Sequence, residues 1–304
     1  MTGADRKLDE NGFAKGTLIR GLGGFYTAAD PDGNEYILRC KKKFRHEHIS
    51  PMVGDEVLFS PGEGEEHGWL EEILPRKSEC LRPPVANAER LVIVVAPFPE
   101  PDLLLVDKML VRALRQKMDA VLVVNKCELD PSLAQQLRRE YAEADVEVCE
   151  VSALEGTGLE PLKEKMRGRL CCMTGQSGVG KSTLLNALLG LQLETGEISR
   201  RILRGKNTTR HAELLMKDGM KVLDTAGFSL LEVERDMDPV TLKDWYPEFW
   251  PYEGKCRFDV CCHDREPGCA VTEACREGKL DPERIGRYRT LLEEVRQTWK
   301  ERYC

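Results

Sequence analysis

The sequence predicts a multidomain chain: a small N-terminal β-barrel, a central parallel α/β domain, and a mostly helical C-terminal region built around a metal site. Three observations predict it. Short β-type runs separated by turn formers fill residues 16–74. Strand and helix patterns then alternate around a glycine-rich loop at residues 175–182. Four cysteines and a histidine cluster between Cys256 and Cys269. At 304 residues the chain has room for two or three domains, each with its own core.

Composition narrows the function classes. A net charge of −7 excludes a uniformly basic nucleic-acid coat but not local basic patches. No apolar run approaches the ~20 residues that cross a bilayer, so no membrane partner is expected. The first ten residues are polar, without the apolar core of a secretion signal. Of the twelve cysteines, Cys149, Cys171 and Cys172 sit in apolar strand-like runs, where a free thiol behaves as a small hydrophobe. Others lie beside a histidine near the C-terminus. This usage fits a reduced cytosolic protein with a metal site better than a secreted disulfide scaffold.

Residues 1–13 read as a flexible tail. Residues 14–82 then hold five short strands, around Thr17-Leu-Ile-Arg20, Gly24-Phe-Tyr-Thr27, Tyr36-Ile-Leu-Arg39, Val57-Leu-Phe59 and Trp69–Leu74. Asp30-Pro-Asp-Gly-Asn34 and Val53-Gly-Asp55 supply turns. Five strands in so short a span suggest an oligonucleotide-binding (OB) barrel. Between the third and fourth strands lies the most basic stretch, with Lys41, Lys42, Lys43 and Arg45 around Phe44. Such a run alone reads as a solvated loop, but on this barrel it is read as an RNA-backbone contact.

Residues 83–234 read as the α/β domain. Leu91-Val-Ile-Val-Val-Ala96 is a continuous apolar run, as in a buried parallel strand. Asp102 caps a helix to about Met118, with Leu105, Met109, Leu110, Ala113 and Leu114 inward. A strand at 120–124 follows, then Asp130-Pro131 opening another helix, and a strand at 146–151. Leu170-Cys-Cys-Met173 leads into Gly175, Gln176, Ser177, Gly178, Val179, Gly180, Lys181 and Ser182, then Thr183. This is the phosphate-binding pattern G-x-x-x-x-G-K-[ST]. Glycines let successive N–H groups point at a polyphosphate and the helix N-terminus adds its positive end. Lys181 is expected on the outer phosphates, and the Ser182 hydroxyl on a magnesium ion.

Other elements identify the base. Asn125, Lys126 and Glu128 differ by one methylene from Asn-Lys-x-Asp, the guanine reader of GTP-binding proteins, whose acid accepts two hydrogen bonds that adenine cannot donate. That argues for GTP over an ATP-using P-loop kinase or ATPase, with looser selectivity from the longer Glu128. Ser152 and Ala153 follow the next strand and would support the base with backbone groups. A strand ending at Asp224 leads into Thr225-Ala-Gly227. Asp224 would orient the magnesium and Gly227 would contact the γ-phosphate. Thr209, or Thr208 beside it, would close over the ion, with release on hydrolysis. Phe228 stands where many GTPases carry a water-orienting glutamine, so slow intrinsic hydrolysis is expected.

Residues 235–304 form the last region. Cys256, Cys261, His263 and Cys269 make a tetrahedral zinc set with no open position for water, hence structural, with Cys262 and Cys275 as bystanders. Asp281-Pro282 opens a closing helix with Ile285, Tyr288, Leu292, Val295 and Trp299 inward.

Chain order adds a further clue. The guanine reader and Ser-Ala pair precede the phosphate loop, whereas in ordinary GTPases the phosphate loop comes first. This is a circular permutation. It places the second switch directly before the cysteine region, which is expected to anchor that switch and relay the nucleotide state.

Barrel, permuted GTPase and Cys/His region together closely resemble the small-ribosomal-subunit biogenesis GTPase family RsgA (YjeQ or YloQ), over nearly the whole chain from about Gly16. The likeness includes Thr195-Gly-Glu-Ile-Ser199, Gly205-x-x-Thr-Thr209 and Glu266-Pro-Gly-Cys-Ala-Val271. It implies a bacterial cytoplasmic, monomeric enzyme that binds the small (30S) subunit and its 16S rRNA late in maturation. Such an enzyme hydrolyses GTP to GDP, faster on the ribosome, and then dissociates. Where the family carries a histidine proposed to position water, this chain has Asn207, which can hydrogen-bond water but not take its proton; His211 is a nearby substitute. The alternative is a nucleotide-gated RNA-binding assembly factor with little hydrolysis of its own.

Overall fold

The computed structural model describes residues 12–46, 49–62, 66–81, 84–191, 213–224 and 236–302. Thr195–Ser199, Asn207, Thr208, Thr209, His211, Thr225, Gly227 and Phe228 lie outside the described residues, as do the side chains of Arg45 and Asp224. The chain forms two compact units. One contains the described residues within 1–90, 163–173 and 189–227, the other those within 91–162, 174–188 and 228–304.

The first unit begins with a closed barrel of β1 (Ala14–Leu22), β2 (Phe25–Ala29), β3 (Glu35–Cys40), β4 (Glu56–Ser60) and β5 (Gly68–Ile73), in the order β1-β2-β3-β5-β4. Strand β1 pairs antiparallel with both β2 and β4, and β3 pairs parallel with β5. This is the OB order. Gly23 and Gly24, with φ of 59° and 87°, turn β1 into β2. The Asp30 carboxylate shapes the next turn by accepting from the N–H groups of Asp32 and Asn34 at 3.0 and 2.8 Å. Alternate residues Leu18, Ala28, Leu38, Val57, Phe59 and Leu70 fill the interior.

The basic stretch is not an extended loop. Lys42–His46 forms a single helical turn, α1, and Phe44 is buried in the barrel core. Burying that ring is worth about 1.5–3 kcal/mol, enough to fold the turn down onto the barrel. Lys41 pairs with Glu71, whereas Lys42 and Lys43 are exposed.

Beyond the barrel, β6 (Glu79–Leu81) and β7 (Pro84–Ala86) pair antiparallel, and Val85 bridges Val53. The expected division at 82/83 falls between these two strands. Buried Asp55 is matched by Arg76, whose Nε lies 2.7 Å from Oδ1.

The α/β part holds β8 (Arg90–Val95), β9 (Asp119–Val124) and β10 (Glu147–Glu150), in the order β10-β9-β8, and β11 (Leu170–Gly175), β12 (Leu214–Lys217) and β13 (Met220–Asp224), in the order β11-β13-β12. β9/β10 and β11/β13 pair parallel. β12, which the apolar patterning did not reveal, pairs antiparallel with β13 across Asp218-Gly219, a dipeptide that favours tight hairpins.

Helix α2 (Leu103–Arg115) is capped by Asp102, whose carboxylate accepts from the Leu105 N–H. It ends before Met118, and its buried face is Val106, Asp107, Met109, Leu110, Val111 and Ala113, so Leu105 and Leu114 sit at its margins. The buried aspartate turns that face toward basic partners described below. Helix α3 (Ser132–Glu140) starts after Pro131, with Asp130 accepting from the Ser132 N–H. Helices α4 (Leu159–Met166) and α5 (Lys181–Leu189) flank β11 in sequence.

The C-terminal region has two 3-10 turns, Pro239–Trp245 and Pro247–Tyr252, then α6 (Ala270–Arg276) and α7 (Pro282–Glu301). Asp281 caps α7, as the sequence predicts. The buried face of α7 includes Arg284 and Leu291, and Trp299 is only half-buried. Tyr246, Phe249 and Tyr288 make its aromatic centre, with ring centroids 4.8–5.2 Å apart.

Candidate nucleotide site and metal centre

All six residues of β11 are buried, which fixes where the strand delivers its terminal Gly175. Here φ is 144° and a Cβ would stand 2.1 Å from the Val94 carbonyl oxygen, so only glycine fits. Gly180 has φ of 89° and approaches the Asn125 amide so closely that a Cβ would lie 2.5 Å from Nδ2. Val179 anchors the loop in the core, and α5 starts at Lys181. The Lys181 ammonium donates to the Gly175 and Gln176 carbonyls, both at 2.7 Å, which holds a cation across the loop. Ser182 and Thr183 are half-buried in the first turn of α5. Gln176 braces the loop: Oε1 accepts from the Asp102 N–H at 2.9 Å and Nε2 donates to the Glu100 carbonyl at 3.4 Å.

Strand β9 leads directly into buried Asn125, which joins three loops. Its Nδ2 donates to the Val179 carbonyl at 2.9 Å, and its Oδ1 accepts from the Ala153 N–H at 3.1 Å. Lys126, at φ of 60°, donates to the Phe98 and Gly178 carbonyls at 2.9 and 2.7 Å. Asn125 and Lys126 therefore fasten the base-reading loop to the phosphate loop. Glu128 is exposed. Ser152 is fully buried and shapes its own loop, its hydroxyl accepting from the Glu155 N–H at 3.1 Å. The Ala153 N–H donates to Asn125, which ties the Ser-Ala loop to the end of β9.

In the first unit, Asp224 ends β13 in register with Met173 of β11. Of the expected magnesium ligands, Ser182 alone has a described side chain.

Cys256, Cys261, His263 and Cys269 bring one ligand atom each to within 4.8 Å of one another. The His263 Nδ1 lies 3.6 Å from the Cys256 sulfur and 3.4 Å from the Cys269 sulfur. Tetrahedral arms of about 2.0–2.3 Å place neighbouring donors roughly 3.4–3.8 Å apart, so the set fits one metal ion. N–H groups of His263, Ala270 and Thr272 reach the sulfurs of Cys261, Cys256 and Cys269 at 3.4–3.5 Å, which stabilises thiolates. Burial, aided by the neighbouring Cys269 and Cys256 sulfurs, pushes the Cys261 thiol up to about 12, and burial with the nearby Lys243 charge pushes the His263 imidazole down to about 4. Without a cation the thiol keeps its proton; a bound ion takes the proton's place, and the neutral ring is already a ligand. The intervening loop is set by Glu266, which accepts from the Cys262 and Asp264 N–H groups at 2.9 and 2.8 Å. Cys262 and Cys275 lie outside the ligand set.

The description "RsgA GTPase" matches residues 73–234, and "RsgA N-terminal domain" matches residues 15–70. The chain belongs to the RsgA GTPase family. Similar relatives include the small ribosomal subunit biogenesis GTPase RsgA of Ruminiclostridium cellulolyticum, 42% identical over 287 residues, covering 92% of this chain and 93% of the relative. The RsgA of Caldanaerobacter subterraneus subsp. tengcongensis is 40% identical over 297 residues, covering 95% and 98%. Among solved structures, YjeQ from Thermotoga maritima aligns with a TM-score of 0.80 at 34% identity, covering 92% and 98% of the two chains. YloQ, described as a circularly permuted GTPase, aligns at 0.78 with 26% identity, covering 98% of each.

One feature of this RsgA-family chain depends on residues far apart in its sequence. Asp107 on α2, fully buried, faces both Arg284 and Arg287 of α7 and accepts from the Tyr141 hydroxyl at 2.6 Å. Arg284 also pairs with Glu248 at 2.8 Å, and Arg287 with Glu140 at 2.7 Å. Burial opposes the charge on Arg284, but Asp107 and Glu248 outweigh it and hold the guanidinium firmly protonated. An aspartate within the apolar stripe of α2 was the available signal.

Proposed function

We propose that this chain is a GTP hydrolase of small ribosomal subunit biogenesis that binds the 30S subunit through its barrel, is stimulated there, and leaves after hydrolysis. The observation that carries the reading is Asn125, one buried side chain fastening the guanine-reading, Ser-Ala and phosphate loops at hydrogen-bond distance. GTP would displace Lys181 from the loop carbonyls onto its outer phosphates. Ser182, Asp224 and Thr209 would hold magnesium, and Glu128 would accept from the guanine edge. Magnesium would neutralise charge that develops on the phosphates. Three thiolates and an imidazole favour zinc in the Cys/His set, where it would hold the loop from Cys256 to Cys269 together. Residues 14–82, 83–234 and 235–304 are assigned as the RNA-binding, GTPase and zinc-binding parts. A bacterial cytoplasmic setting accords with this work; among the described residues no helix is long and apolar enough to cross a membrane.

GTP turnover titrated with purified small subunits tests the reading. Stimulation is expected; a flat response would favour nucleotide-gated binding with little hydrolysis, the reading that Phe228 and Asn207 support. Competition with ATP tests the base, since preference for ATP would end the guanine assignment.

A further inference from the structure

The outer face of the barrel carries a row of side chains in strand register. Leu22 of β1 is opposite Phe25 of β2, Phe25 is opposite Arg39 of β3, and Arg39 is opposite Trp69 of β5. Residues paired in register share a face, and the inward positions Leu38 and Leu70 alternate with this row. The row is exposed where a barrel has no need to be apolar: Phe25 is 41%, Trp69 43%, Ile37 51% and Leu22 65% accessible. Exposed apolar residues scattered singly are ordinary, but contiguous ones mark an interaction surface. The Arg39 guanidinium lies 5.5 Å from the Phe25 ring centre, and His67 meets the same ring edge-on at 5.2 Å.

The charge around the row is equally organised. The flanking carboxylates Glu35 and Glu71 are each engaged by a cation, Arg20 and Lys41 respectively. Among the described residues Arg39 has no acidic partner, and exposed Lys42 and Lys43 begin just past the end of β3. The result is two aromatic faces with a cation between them and further cations at one end. Adjacent strands are about 4.8 Å apart, so Phe25 and Trp69 stand roughly 10 Å from each other, room for neighbouring nucleotides to place a base on each.

We propose that Phe25, Arg39 and Trp69 form a stacking platform for unpaired RNA bases, with Lys42 and Lys43 on the adjoining phosphates. The reading deepens the assignment of the barrel as the RNA-contacting part and rests on it. It differs in what is recognised: splayed single-stranded bases, not the backbone of a duplex. A protein partner would also suit an apolar row, but the interleaved unpaired cation and the basic turn beside it favour a polyanion with π-faces.

The test uses the full-length chain, unstructured oligoadenylate and oligouridylate, and a blunt RNA duplex as probes. Single strands are expected to bind more tightly than the duplex, and oligoadenylate at least as tightly as oligouridylate, because purines stack better. Phe25→Ala and Trp69→Ala should each weaken single-strand binding roughly 10-fold, with Trp69→Phe restoring most of it. GTP affinity should be unchanged in both variants, which reports an intact fold. Lys42→Gln should instead reduce the salt dependence of binding. Single-strand affinity unaltered by the aromatic changes, but lost on removing Lys42 and Lys43, would overturn the platform while leaving the barrel an RNA contact. Loss of small-subunit binding in the aromatic variants with single-strand affinity intact would assign the row to a protein partner and overturn it. Wild-type protein that binds neither RNA nor small subunits would remove the underlying reading as well.

Discussion

The nucleotide site and the Cys/His centre differ in what they are made of. The first is mainly backbone: glycines at φ of 144°, 85° and 89°, carbonyls gripped by Lys126 and Lys181, and one asparagine tying the loops. It stands on a strand that is buried along its whole length, so its support does not depend on a ligand. The second is made of side chains on a segment without strands or α-helix between Tyr252 and Ala270. Its support is the ligand set itself, together with the aromatic cluster and the ion network on α7. A site of the first kind loses binding when a glycine acquires a side chain and keeps its fold. A site of the second kind loses the fold with the ligand.

The sharpest way to break this contrast is to remove a thiolate. Cys261→Ser should cost one equivalent of bound metal, measured by elemental analysis, and expose the segment around residues 253–270 to protease. Full metal content in the variant would show that the four residues do not hold the ion. Next in size is Arg284→Met. Removing one member of a buried pair costs about 3–5 kcal/mol, so the denaturation midpoint should fall while the metal content is unchanged. A change below about 1 kcal/mol would mean the network adds little.

Lys181→Ala probes the other side. Turnover and GTP affinity should fall on the order of 10²-fold with thermal stability held, because the ammonium bonds to carbonyls of its own loop and not to the core. Full activity would place the nucleotide elsewhere. The finest comparison is within the loop. Gly180→Ala should weaken GTP binding about 10-fold more than Gly178→Ala, because both need positive φ but only at Gly180 does the new methyl collide with Asn125. At Gly178 its nearest neighbour is Pro99 at 3.5 Å. Equal losses would mean that the Asn125 contact is immaterial.

The same contrast explains what was legible from residue order. The phosphate loop, Asn125-Lys126 and the Cys/His spacing announce themselves because their chemistry demands particular residues at fixed intervals. The barrel strands followed from short β-type runs set between turn formers, and the caps at Asp102 and Asp281 from their side chains. Asp107 was not legible, since its value depends on Arg284 and Arg287, far along the chain and joined to it only by folding. Phe44 was hidden for the opposite reason: surrounded by cations, it reads as surface, yet the ring closes the barrel core. The aromatic row needed strand register, since Phe25, Arg39 and Trp69 are neighbours only across the ladders.

Asn125 has a consequence that reaches past recognition of the base. Because its amide holds Val179 while its oxygen holds Ala153, organising either end of the nucleotide cleft organises the other. Free energy shared in this way is reciprocal: whatever guanine contributes to ordering the phosphate loop, a bound pyrophosphate returns to the base pocket. The two halves of GTP would therefore be read as a single cooperative unit, each fragment alone binding more weakly than its own contacts imply.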